Sequence, residues 1–141
     1  MITEFADAAV HSVLTGRQAF CKFLSANDTG KTGGHQAGIL ISRSALEMLF
    51  HRDIVHEHIE KRSVEIFWQQ NITTQSRFTW YSSKNELRIT CLGKGFPYLK
   101  PDQTGSLFVL TRQTDDHYSA FFLETEDEIE RFLDAFGRAH V

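Results

Sequence analysis

The sequence predicts a mainly β domain of the α+β class, in which many short strands form a barrel-like sheet flanked by a few helices. Strand-like runs with alternating apolar and polar residues dominate the second half of the chain. Helical signals are confined to the two ends and one short internal segment, and no repeat or low-complexity stretch is visible. The 141 residues are enough for one domain with its own core. We therefore expect residues 1–141 to form a single domain.

The helical signals come from apolar spacing and from capping patterns. Residues 2–14 carry apolar side chains at a loose helical spacing, which predicts a first helix. Ser44 and Glu47 match a capping box and predict a short helix ending near residue 50, and Thr125 and Glu128 form a second box. The acidic residues that open the last helix suit its dipole. Its apolar face is predicted to consist of Ile129, Phe132, Leu133 and Phe136.

The predicted strands share a two-residue alternation and end at turn-forming residues. Val64, Ile66 and Trp68 lie on one face of the longest of them. We expect the neighbouring aromatic residues Phe67, Trp68, Trp80 and Tyr81 to pack in the sheet and core rather than to stack on bases. The strands are predicted at residues 20–24, 38–42, 63–69, 76–81, 87–92, 105–112 and 118–123.

Cysteine usage and the start of the chain indicate where the protein works. Cys21 and Cys91 lie in strand-like runs, and we expect them to be buried thiols rather than a disulfide. This favours a reducing compartment, in agreement with a cytoplasmic location. No signal peptide and no apolar run of membrane-spanning length is visible, so we expect no membrane partner.

The charge of the chain is unevenly distributed. The formal net charge is −3. Residues 1–114 hold 13 basic and 10 acidic side chains, whereas residues 115–141 hold 2 basic and 8 acidic ones. A moderately basic region beside an acidic end is compatible with nucleic-acid binding, because binding depends on the local field.

The segment from residue 24 to residue 36 carries the strongest functional signal. The segment combines hydrogen-bonding side chains and a lysine with three glycines, which allow a close approach of the backbone to a polar surface. Such side chains can contact base edges or phosphates. An ordinary solvent-exposed turn is the open alternative. A nucleotide loop is rejected, because Ser25 stands where the motif ending at Lys31 and Thr32 needs its first glycine, and no helix follows.

A second stretch, residues 84–90, places Glu86, Arg88 and Thr90 on one strand face and Leu87 and Ile89 on the other. Glutamate accepts a hydrogen bond from cytosine N4, and arginine donates two to guanine, so the pair could read a G·C base pair. A surface salt bridge is the alternative explanation.

Residues for catalysis are less well supported. His56 and His58, with His51 nearby, could chelate a metal, but a charged solvated loop is the favoured interpretation. The Asp…Glu-x-Lys pattern of many restriction enzymes is absent, and nothing in the spacing favours Asp28 with Glu86 as a metal pair. We assign no catalytic residue, no metal ligand and no cofactor.

The two stretches together resemble the N-terminal effector domain of EcoRII-type restriction endonucleases, a type IIE group. The resemblance rests on residues 22–36 and on Asn85-Glu86-x-Arg88-Ile89-Thr90, in the same order. Supporting matches are Gly38, Gly93-x-Gly95 and Thr104-Gly105, and the similar region covers roughly residues 20–110. It implies a B3-like fold, a seven-stranded open pseudobarrel with flanking helices, whose two arms grip the DNA major groove.

The resemblance also implies a function and a set of contacts. We expect sequence-specific binding of double-stranded DNA at a short G·C-containing site of the CCWGG type, and no catalysis by this chain. A fused catalytic nuclease domain would lie outside it. The positions that match family DNA contacts are Lys22, His35, Lys84, Glu86 and Arg88. The other candidate DNA-binding residues in the two stretches are Ser25, Asn27, Asp28, Thr32, Gln36 and Asn85.

Some positions depart from the family pattern. Leu87 stands where the family has a basic residue, and Leu40 replaces an aromatic one. The alternative function is a free-standing metal-dependent nuclease or a nucleotide-binding enzyme.

Overall fold

The computed structural model describes residues 3–30, 38–50, 59–93, 95–114 and 116–136. Seven strands form one sheet, and helices cover part of its outer surface. The strands are β1 (Gln18–Phe23), β2 (Gly38–Ile41), β3 (Glu60–Trp68), β4 (Thr73–Tyr81), β5 (Glu86–Thr90), β6 (Leu107–Thr114) and β7 (His117–Leu123). The α-helices are α1 (Glu4–Thr15), α2 (Ala26–Thr29), α3 (Leu46–Leu49) and α4 (Glu126–Phe136).

The strand order in the sheet is β1-β6-β7-β3-β4-β5-β2. Neighbouring strands pair antiparallel except β3 and β7, which run parallel. Strands β1 and β2 are therefore the two ends of the curled sheet. This arrangement confirms the predicted seven-stranded open pseudobarrel with few helices.

Two apolar clusters hold the elements together. Inside the curled sheet, the Trp68 ring stacks on Phe122 with centroids 5.3 Å apart, and Phe96 meets the Trp68 ring edge-on. Outside it, α1 and α4 pack on β6 and β7 through a second cluster that includes Leu107 and Phe132. The predicted apolar face of α4 is thus confirmed.

The capping predictions for the helices are partly wrong. The Ser44–Glu47 box does not form, because the Ser42 side chain accepts the Ser44 N–H and opens a 3₁₀ turn ahead of α3. In the second box, the Thr125 hydroxyl accepts the Glu128 N–H at 3.2 Å, as predicted. The Glu128 carboxylate, however, accepts the Ala6 N–H at the start of α1, and so joins the two helices.

The burial of the cysteines and aromatic residues also differs in part from the prediction. Cys21 and Cys91 are free thiols as expected, but both are exposed rather than buried. Cys21 lies on the outward face of end strand β1, and Cys91 follows β5 with a φ of 60°. Trp68 and Trp80 are in the core. Phe67 is 38% exposed and stacks on the His117 ring.

No helix within the described ranges is long and apolar enough to cross a membrane.

Candidate functional site

The described part of the first stretch, which ends at residue 30, contains one helical turn, α2, where a polar loop was expected. Ser25 is its N-cap, and a reciprocal capping box forms with Asp28. The Asp28 N–H donates to Ser25 Oγ at 3.1 Å, and the Ser25 N–H donates to Asp28 Oδ2 at 3.0 Å. Gly30 ends the turn with a φ of 79°, a left-handed conformation that glycine adopts without strain. The turn holds Ser25 and Asn27 at the surface.

Asp28 is bonded to both ends of the sheet. Its Oδ2 lies 2.7 Å from Lys22 Nζ on β1, and its Oδ1 accepts the Leu40 N–H of β2 at 3.1 Å. Lys22 Nζ also donates to the Leu40 carbonyl at 2.8 Å. We call this set of Lys22, Asp28 and the Leu40 main chain the seam. It bridges the opening of the pseudobarrel.

The charge state of Asp28 follows from these contacts. Burial by itself would raise the pKa of this carboxyl, whose side chain is only 2% exposed. The hydrogen bonds from Lys22, Ser25 and Leu40 and the lysine charge outweigh burial and hold the pKa below its usual value. The carboxylate is therefore ionised at neutral pH and engaged inside the protein.

Strand β2 approaches β5 unusually closely at its first residue. A Cβ placed on Gly38 would lie 1.8 Å from the Ile89 carbonyl oxygen. Only glycine fits there without moving one of the strands. In the resulting register, Leu40 of β2 lies opposite Arg88 of β5.

The second stretch is a tight turn followed by β5. The Lys84 and Asn85 side chains are exposed on the turn, and Asn85 has a φ of 55°. Leu87 and Ile89 are fully buried and Glu86 and Arg88 lie on the opposite face, as predicted, whereas Thr90, which was predicted to share the polar face, is buried.

Glu86 and Arg88 form an ion pair on that polar face. Arg88 Nη2 and Nε donate to Glu86 Oε2 at 3.1 and 3.3 Å. The two side chains remain partly accessible, at 30% for Glu86 and 19% for Arg88. The surface salt bridge that was the alternative explanation therefore forms in the structure. Both side chains nevertheless remain accessible to a ligand.

The structure brings the two predicted stretches together at one place. Leu40 lies between them: its main chain bonds to Asp28 and Lys22, and its register partner is Arg88. The predicted residues Thr32, His35 and Gln36 lie outside the described residues.

The described part of the chain contains no group of three or more His, Cys, Asp or Glu side chains that could hold a metal ion. Asp28, half of the conceivable metal pair with Glu86, is bonded to Lys22 instead. The histidines at 51, 56 and 58 lie outside the described residues.

Sequence reasoning missed the Leu40 main chain as a part of the site. A backbone group has no sequence signature of its own. Two signals in the sequence were usable: Gly38, which stands two residues before Leu40, and Asp28, an acid in the polar stretch that precedes it.

Two solved structures share this architecture. The B3 domain of the UbaLAI restriction endonuclease, solved with cognate DNA, has a TM-score of 0.55 and 20% identity, covering 95% of this chain and 90% of its own. The N-terminal domain of Helicobacter pylori LlaJI.R1 has a TM-score of 0.54 and 11% identity, covering 84% and 97%. At these identities the likeness shows the fold, which is B3-like.

The sequence comparisons identify the family. The family described as "Restriction endonuclease EcoRII, N-terminal" matches residues 14–134. The type II restriction enzyme EcoRII of Escherichia coli is 30% identical over 109 residues, which cover 69% of this chain and 26% of that enzyme. The chain therefore belongs to the EcoRII N-terminal family, and it spans about a quarter of the length of this relative.

Proposed function

We propose that this chain is a sequence-specific, double-stranded-DNA-binding effector domain of a restriction endonuclease. Arm 1 (residues 22–36) and arm 2 (residues 84–88) enter the major groove from the open side of the pseudobarrel. The observation that carries the proposal is the accessible Glu86–Arg88 pair, which lies beside the seam on the neighbouring strand. Family membership and the UbaLAI B3 domain with its cognate DNA support it.

The Glu86–Arg88 pair has the chemistry of a G·C reader. Arginine can donate two parallel hydrogen bonds to guanine O6 and N7, and a carboxylate can accept from cytosine N4. The existing ion pair orients the Arg88 guanidinium before DNA arrives. Preorganisation reduces the entropy lost on binding, so the pair favours affinity as well as base selection.

The remaining proposed contacts differ in their exposure. Lys84 and Asn85 project from the turn of arm 2, where a lysine suits a phosphate. Lys22 is 22% exposed at the base of arm 1. Asp28 is buried, and we place it in support of arm 1 rather than on DNA. The other proposed arm 1 contacts are Ser25, Asn27, Thr32, His35 and Gln36.

Cleavage is assigned to a catalytic domain outside this chain. The resemblance to EcoRII-type effector domains supports a CCWGG-type site, a non-catalytic role without a cofactor, and action in the prokaryotic cytoplasm. The match covers 26% of EcoRII, which leaves room in a protein of that relative's length for a separate catalytic domain.

The test is a gel-shift titration without metal, using a CCWGG duplex and a matched duplex in which the G·C pairs of the site are replaced. We expect a shifted complex with the first duplex at concentrations that leave the second unbound. Mg²⁺ is then added to the complex. Equal binding of both duplexes would refute sequence-specific recognition, and site-specific cutting lost in a variant of this chain would refute the non-catalytic role.

A further inference from the structure

The seam occupies an edge of the sheet where another strand would ordinarily pair. In an antiparallel sheet, alternate residues direct their N–H and C=O groups to opposite neighbours. The Leu40 N–H and C=O both bond to arm 1 side chains, so they point away from β5 and towards the opening. Unpaired edge groups are a site for unwanted pairing. Here the Asp28 carboxylate and the Lys22 ammonium bond to the Leu40 edge groups that a further strand would otherwise bond.

Asp28 is the centre of this arrangement. One carboxylate bonds to β1 through Lys22, to its own helical turn through Ser25, and to β2 through Leu40. Each of these bonds involves an ionised group, which makes it stronger than a neutral hydrogen bond. With the side chain only 2% exposed, water does not readily replace the partners.

The same carboxylate is linked to arm 2 by a short path. Leu40, which Asp28 holds, is the register partner of Arg88 on β5. A shift of β2 therefore displaces the strand that carries the Glu86–Arg88 pair relative to arm 1. The spacing between the two arms depends on where Asp28 fixes Leu40.

We propose that Asp28 is a positioning residue that sets this spacing and thereby determines the specificity of DNA binding. The inference rests on the proposed function, because it assumes that both arms engage one duplex. Base-edge hydrogen bonds require distances within a few tenths of an ångström, whereas phosphate contacts tolerate displacement. Loosening the seam therefore weakens binding to the specific site more than binding to random DNA.

The central variant is Asp28→Asn, which keeps the side-chain size and an acceptor but removes the charge facing Lys22. We expect the ratio of specific to random affinity to fall about tenfold, the size of one lost base contact. The slope of log K against log salt stays unchanged, because no phosphate contact is removed. Asp7→Asn is the matched control, since Asp7 forms an ion pair with Arg131 on the helices.

A double-mutant cycle tests whether Asp28 acts through arm 2. Arg88→Ala should cost less affinity in the Asp28→Asn background than in the wild type, because misplaced arms already fail to make that contact. Additive losses, an unchanged specificity ratio, or an equal loss on both duplexes with a shallower salt slope would overturn the inference.

The wild-type protein provides a test that needs no variant. The Leu40 amide should be protected from hydrogen exchange although it faces the open edge of the sheet, and free exchange of this amide would overturn the inference. If the wild type lacks sequence preference while Leu40 is protected, the proposed function fails and the seam stands. If the wild type discriminates and Asp28→Asn discriminates equally, only the positioning role fails.

Discussion

Gly38→Ala should detach β2 from β5 and impair both folding and DNA binding. The added Cβ would lie 1.8 Å from the Ile89 carbonyl oxygen and 2.8 Å from its carbon, whereas ordinary contact begins at 3.4 Å. The obstacle is backbone on both sides, so no side chain can rotate away. The strands must separate by roughly the difference between 1.8 and 3.4 Å.

The size of the effect follows from that separation. Overpacking at a rigid site costs about 1–3 kcal/mol of stability, and each ladder hydrogen bond lost adds about 1 kcal/mol. We therefore expect the free energy of unfolding to fall by roughly 2–4 kcal/mol. Because arm 1 leads directly into Gly38, affinity for the specific duplex should also fall by at least about tenfold, one lost base contact.

The assay is urea denaturation of Gly38→Ala together with duplex titration. Gly95→Ala is the control, because its φ is +78° but nothing lies within 4 Å of the added Cβ. The free energy of unfolding of Gly95→Ala should fall by only about 1–2 kcal/mol, the cost of a left-handed conformation for alanine. Its DNA affinity should equal that of the wild type. If Gly38→Ala matches Gly95→Ala in both stability and affinity, the reasoning from close strand approach is refuted.

Three further predictions test the arms and the helices. Arg88→Ala should reduce affinity for the specific duplex by about 1–3 kcal/mol with little loss on random DNA in the same titration. Arg131→Ala, which removes another ion-paired arginine, is its control; equal losses on both duplexes would assign Arg88 to phosphate. Lys84→Ala should weaken binding to every duplex alike and make the slope of log K against log salt shallower by about 0.9. An unchanged slope would show that Lys84 does not contact the DNA phosphates. Burial, together with the nearby acids, raises the pKa of Glu128, so the folded state holds this proton more tightly than the unfolded chain. Wild-type stability should therefore decline as pH rises above the ordinary glutamate pKa, and Glu128→Gln, measured by denaturation across pH, should lack that decline.

Much of the fold could be read from local patterns. Alternation located the strands and assigned Val64, Ile66 and Trp68 to the core, because the two-residue period of a strand is a purely local property. The amphipathic face of α4 was predicted for the same reason, with its helical period. The two functional stretches were also recognisable, since their polar side chains and glycines are contiguous in the chain.

Local patterns did not predict which of two nearby hydroxyls caps a turn, or how far an apolar run is buried. Ser42 caps the turn that Ser44 was predicted to open, because the backbone direction after β2 decides which hydroxyl reaches an N–H. Exposure of Cys21 followed from β1 being an end strand of the sheet, which an apolar run does not reveal.

The amino-acid sequence by itself determined the succession of the strands, the inward and outward faces of strands such as β3, and the family to which the chain belongs. Only the tertiary structure decided which groups meet across the fold. Asp28 accepts the main-chain N–H of Leu40 because curling brings the two ends of the sheet together. Glu128 accepts that of Ala6, 122 positions away. Many different hydrogen-bond donors could have bonded to either carboxylate. Which donor does so depends on the path of the folded backbone rather than on local composition.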